Sequence, residues 1–148
     1  MKTPCSDYIK TREVMFFARM LDKIRLKANG LLPDDYNVGC SDPTCFDTRF
    51  CRFFQVDHDQ LTKRTLAGGT DEEIFDWCFQ TSGRPTEEEI LLWNSFVTKR
   101  GWRDDSSGEL EATKQACGLS GRSDIQTWAD YHAVDEGRGP DAESVYLG

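Results

Sequence analysis

At 148 residues, 38% hydrophobic and 30% charged, the chain has the size and composition of one compact domain spanning residues 1–148. Nine Phe, four Trp and four Tyr supply large core side chains and argue against disorder along the whole chain. A net charge of −8 argues against nucleic acid or an anionic membrane surface as partner, because both ask for a concentrated basic face.

The first predicted element is a helix from Thr11 to Asn29, closed by Gly30. At about 100° per residue, Val14, Phe17, Leu21, Ile24 and Ala28 fall on one side, and Arg12, Arg19, Lys23 and Lys27 on the other. Aligned like charges repel slightly at this spacing, so the basic stripe calls for acidic groups elsewhere in the fold or for an anionic ligand. A long irregular stretch follows from Leu31 to Phe46, punctuated by Pro33, Gly39 and Pro43. Asp47 reads as the cap of a short helix carrying Phe50, Phe53 and Phe54, and Asp57 as the start of another through Leu61 and Leu66. Thr70 with Glu73 and Thr86 with Glu89 are capping-box pairs, in which hydroxyl and carboxylate satisfy otherwise orphan amides. The first opens a helix burying Ile74, Trp77 and Cys78, and the second a helix burying Trp93 and Val97 and ending at Gly101. A weaker helix runs from about Glu109 to Cys117, where Cys117 reads as a buried apolar residue. Ser123 or Asp124 caps a last helix presenting Ile125, Trp128, Ala129 and His132. No stretch alternates long enough for a sheet. The predicted architecture is an all-α, single-domain bundle of five to seven helices, with a loosely held tail over 138–148.

Several runs together resemble a known family. They are Ala18-Arg19-Met20-Leu21-Asp22-Lys23-Ile24-Arg25 with Gly30 and Tyr36, then Phe46-Asp47 with Arg49 and Cys51-Arg52-Phe53. Thr70-Asp71-Glu72-Glu73-Ile74 with Trp77, Trp93-Asn94, Lys99-Arg100-Gly101-Trp102-Arg103-Asp104 and Asp135-Glu136-Gly137-Arg138 continue them in order. The chain resembles DUF5069, a bacterial family of helical domains of unknown function. The resemblance implies a compact single domain and no particular reaction, substrate or cofactor. The stretch Gly39 to Cys45 departs from it, being longer and richer in cysteine.

The candidate ligand-binding residues are Arg19, Asp22, Lys23 and Arg25, with Tyr36 as a wall of the pocket. A guanidinium fork beside an ammonium holds a carboxylate or phosphate, and Asp22 lies one helical turn from both arginines and can orient them. The expected role is a binding module for a small anionic ligand or a protein partner. The competing structural account ties this helix to the acidic later helices through ion pairs, with Asp135, Glu136 and Arg138 docking on it. An enzyme acting on an anionic metabolite is the alternative, and a pocket joining the arginines to His132 or Tyr36 would favour it.

Cys40, Cys45 and Cys51 with His58 carry zinc-ligand chemistry, yet lack the close cysteine pair of structural zinc sites. A Cys40–Cys45 redox pair is a further alternative. No metal and no cofactor is expected. His132 reads as a core histidine and His58 as a solvated one, and Asn94 as a polar group near a buried face in need of partners. Without an apolar signal core or a run long enough to span a bilayer, the chain reads as cytoplasmic. The oligomeric state is left open.

Overall fold

The structure, a computed structural model, describes residues 1–139. Its described residues form a short β-hairpin and seven helices: β1 (Lys10–Thr11), β2 (Val14–Met15), α1 (Phe17–Ala28), α2 (Phe46–Phe54), α3 (His58–Leu66), α4 (Asp71–Cys78), α5 (Glu87–Lys99), α6 (Ser107–Ala116) and α7 (Trp128–Asp135). The molecule is mostly helical but not strictly all-α.

The hairpin corrects the first prediction. Residues 11–16 have helical phase in their apolar positions, yet Thr11 pairs with Val14 and Lys10 with Met15 in antiparallel register. Arg12 and Glu13 form the two-residue turn with φ of 48° and 70°, the positive pair that matches strand twist. Phe16 has φ 77° and turns the chain into α1, so the helix starts six residues later than its apolar stripe suggests.

Trp93 and Asn94 of α5 hold the hairpin from its free edge. Asn94 Oδ1 accepts from the Met15 amide at 3.0 Å, and Asn94 Nδ2 donates to the Glu13 carbonyl at 2.9 Å. The Trp93 indole donates to the Met15 carbonyl at 2.9 Å. A two-residue strand exposes unpaired backbone groups, and these side chains take the place of a third strand. Asn94 is therefore a structural clasp.

Both predicted capping boxes form, at Thr70–Glu73 and Thr86–Glu89. A third, Thr127–Asp130, opens α7 and moves its start beyond the expected Ser123 or Asp124. The residue capping α2 is Cys45, because Asp47 turns inward and is buried. The core gathers Phe17 and Ile24 of α1, Phe50 and Phe54 of α2, Leu61 of α3, Phe75 and Phe79, and Trp93 of α5. Phe17 meets Phe75 edge to face at 5.1 Å between centroids, and Phe50 meets Trp93 at 5.3 Å. On α4 it is Phe75, next to Ile74, that is fully buried; Trp77 and Cys78 are only half-buried, and Cys117 is exposed. Of the expected loose tail, Arg138 is anchored, its amide donating to the Ala133 carbonyl at 2.7 Å. Residues 140–148 lie outside the described residues.

Candidate functional site

The basic face of α1 looks inward. Arg19 and Lys23 are 3% and 5% exposed, far below what unpaired cations tolerate. Their counter-charges come from three distant places. The Arg19 guanidinium forks onto Glu136, with Nη1 donating to Oε1 at 2.8 Å and Nη2 to Oε2 at 2.7 Å. Its Nε lies 3.6 Å from Asp7 Oδ1, and Nη1 also donates to the Cys5 carbonyl. Lys23 Nζ donates to Asp47 Oδ1 and, at 2.8 Å, to the Asn37 carbonyl. The other two members of the stripe stay outside: Arg12 pairs with Asp76 across an exposed surface, and Lys27 is exposed.

Glu136 is a hub. Besides Arg19 it accepts from the Tyr36 hydroxyl at 2.6 Å and from Arg138 Nη2 at 2.6 Å. Burial pushes its carboxyl up, but the bonds from Arg19, Tyr36 and Arg138 outweigh this and hold it below the usual carboxylate range. Burial and the bond to Glu136 push the Tyr36 phenol well above its usual value, so it stays a neutral donor.

Asp7 and His132 face each other behind Arg19. His132 Nδ1 lies 3.1 and 3.0 Å from the two Asp7 oxygens. Burial raises the Asp7 carboxyl, yet His132 and Arg19 overcome it and leave it at about 2. A carboxylate can only accept, so Nδ1 carries the hydrogen. His132 Nε2 has no hydrogen-bond partner among the described residues, and its side chain is 25% exposed. His132 is thus hydrogen-bonded, as expected of a core histidine, but it sits at the partly exposed edge of the core.

Arg19, Lys23, Tyr36, Asp47, His132 and Glu136 line one cavity of about 500 Å³ between α1, the 31–45 loop, α2, α6 and α7. Phe16, Phe46, Tyr36, Trp128, Tyr131 and His132 supply flat walls. Arg49 and Arg100 join the lining, and Asp35, Glu109 and Asp135 are exposed carboxylates on it. Arg49 lies over Phe96 at 5.5 Å and donates to the Thr44 carbonyl, while Arg100 pairs with Asp104 and Asp105.

Of the residues singled out from sequence, Arg19, Lys23 and Tyr36 come together on this cavity. Asp22 and Arg25 do not. Asp22 accepts from the Cys5 amide at 3.0 Å, and Arg25 bonds Asp71 at 2.8 Å with Asp22 3.5 Å away, on another side of α1. The expected docking of the closing segment on α1 is made by Glu136, whereas Asp135 stays exposed. Asp7 and Asp47 escaped sequence reasoning, because an acidic residue in an irregular stretch carries no periodic signal.

Cys40 lines a second hollow together with His58, and Cys45 and Cys51 are not part of it. Cys45 Sγ sits 3.3 Å from Thr48 Oγ1, whereas burial and the neighbouring Cys40 push the Cys51 thiol up. Among the described residues no group of three or more His, Cys, Asp or Glu side chains is placed to hold a metal ion. His58 is largely enclosed, with Nε2 buried and 3.9 Å from Asp47 Oδ2. No helix among the described residues is long and apolar enough to cross a membrane.

A family model described as a domain of unknown function, DUF5069, matches residues 1–138, and the chain belongs to that family. No curated protein matches it.

Proposed function

We propose that this member of the DUF5069 family is a small-molecule-binding domain whose site is the cavity between α1 and α7. The observation that supports the reading is a concave space of about 500 Å³ with aromatic walls, whose polar groups are fixed by buried ion pairs. That volume falls within the roughly 300–1,000 Å³ common for ligand pockets, and fixed polar groups among flat apolar walls supply orientation and specificity. In this reading Arg19, Lys23 and Tyr36 belong to the wall, where they hold Glu136 and Asp47 in position. Asp22 and Arg25 take no part. The case for an anionic ligand is weaker than the basic stripe suggests, because both buried cations already have carboxylate partners.

A proton-transfer enzyme is the second reading, favoured by His132 on the same wall with Asp7 buried behind it. An imidazole oriented by a buried carboxylate, with its other nitrogen towards a cavity, is what general acid–base chemistry asks for.

A thermal-shift screen at low salt against cationic, zwitterionic, neutral and anionic metabolites tests the proposal. A ligand present at 100 times its Kd stabilises the native state by about 2.7 kcal/mol. The expected result is a raised Tm together with a shifted indole resonance of Trp128. Hits that leave Trp128 and Tyr131 unperturbed would place binding elsewhere and overturn it. Turnover of a bound molecule, lost in His132→Gln, would favour the enzyme over the pure binding module.

A further inference from the structure

The cavity wall is unbalanced in its hydrogen-bonding capacity, and this narrows the ligand of the proposed site. Most of its donors are engaged within the protein: Arg19 on Glu136, Lys23 on Asp47, Arg100 on Asp104 and Asp105, the Tyr36 hydroxyl on Glu136, and Arg49 through Nε on the Thr44 carbonyl. The Trp128 indole likewise donates to Ser106 Oγ at 2.6 Å. Several of its acceptors are not. His132 Nε2, and the carboxylates of Asp35, Glu109 and Asp135, have no hydrogen-bond or ion-pair partner among the described residues. A guest that brings donors completes such a wall, whereas one that brings only acceptors leaves desolvated lone pairs facing each other.

The surroundings of His132 add the second constraint. Its ring lies 6.2 Å from Phe46, 6.4 Å from Trp128 and 6.2 Å from Tyr131, so a group bound at the imidazole has aromatic rings close by. A cation is attracted to such faces, and carboxylates near the same space reinforce the attraction. We infer that the ligand of this cavity is a small primary ammonium ion, whose N–H groups donate to His132 Nε2 and whose charge is met by Asp35 and Asp135. Asp7 has an indirect part: it holds the hydrogen on Nδ1, so that in the neutral imidazole the acceptor is Nε2. The inference rests on reading the cavity as a binding site.

Four probes of one shape separate the two ideas: benzylamine, benzyltrimethylammonium, benzyl alcohol and benzoate, titrated at low salt by calorimetry and by two-dimensional NMR of Trp128 and Tyr131. Benzylamine should bind about tenfold more tightly than the alcohol or benzoate. Benzyltrimethylammonium, which has no N–H, should bind more weakly than benzylamine. The exposed double variant Asp35→Asn, Asp135→Asn should weaken benzylamine severalfold and leave the alcohol unchanged, with no demand on the buried core. Alcohol or benzoate binding as well as benzylamine would overturn the ammonium assignment and leave the cavity reading standing. Equal binding of the two cations would overturn the role of Nε2. Failure of all four to move the Trp128 and Tyr131 signals would overturn both the inference and the reading beneath it.

Discussion

His132 Nδ1 lies 3.0 Å from Asp7 Oδ2, although 125 positions separate the two residues in the chain. The contact joins the irregular segment before the hairpin to the last helix. Arg19 stands between them, touching Asp7 with one edge of its guanidinium and Glu136 with the other.

That arrangement sets apart the cations of the first helix. Arg19→Met leaves Asp7 and Glu136 buried without their partner and should cost about 3–5 kcal/mol. Arg25→Met removes a partly exposed pair with Asp71 and should cost about 1 kcal/mol or less. Urea denaturation of the two variants measures the difference. Equal losses would show that the guanidinium of Arg19 is not enclosed as described.

Asn94→Ala should destabilise the protein by about 2 kcal/mol, since the Met15 amide and Glu13 carbonyl both lose their side-chain partner. The loss should be local first. Hydrogen exchange at the Met15 amide would speed up well before exchange at Leu21, in the middle of α1.

Gly101 follows α5 with φ 99°, and a methyl group built there would lie 3.0 Å from Leu110 Cδ2 and 3.1 Å from Trp128 Cδ1. Gly101→Ala therefore meets both backbone strain and a crowded wall, and about 2 kcal/mol of stability should go. Trp128 supports one side of the cavity, so its near-ultraviolet circular dichroism should change as well.

Stability should fall in two stages on acidification. Burial lowers the His58 imidazole below its usual value, against the opposing pull of Asp47. The unfolded chain then takes up a proton near pH ~6.5 that the folded protein resists, so stability declines as pH drops through that range. Asp7, held at about 2, contributes stabilisation that is complete above ~3.9 and disappears as pH falls through about 2. Tm against pH for the wild type and for His58→Gln checks this: the variant should lose the first decline and keep the second.

Trp93 is nearly fully buried and donates to the hairpin, so Trp93→Ala should cost about 3–5 kcal/mol. Trp77, half-buried, should cost less, and chemical denaturation of both variants tests the order.

The parts of the fold that were legible in the sequence are those decided within one turn of chain. The pairs Thr70–Glu73 and Thr86–Glu89 are local bargains between a hydroxyl, a carboxylate and two amides, and both form as their spacing predicts. The hairpin was illegible, because its edge is satisfied by Trp93 and Asn94, some 80 residues away, and two-residue strands carry no alternating pattern. The basic stripe was visible, and so was its docking by the closing segment, which Glu136 makes; the pairing of Lys23 with Asp47 was not, since Asp47 reads locally as a helix cap. Asp7 gave no signal at all. Two of the five predicted site residues, Asp22 and Arg25, lie on another side of α1, because helical spacing places charges around a cylinder without saying which flank meets a hollow.

Because residue 7 and residues 132–136 close on the same side chain of the first helix, the hollow has no complete wall until the last helix has been synthesised. A nascent chain can fold its aromatic centre while still growing, but Arg19 then waits for Glu136 to leave the ribosome. The cavity is thereby completed after the aromatic centre, not together with it.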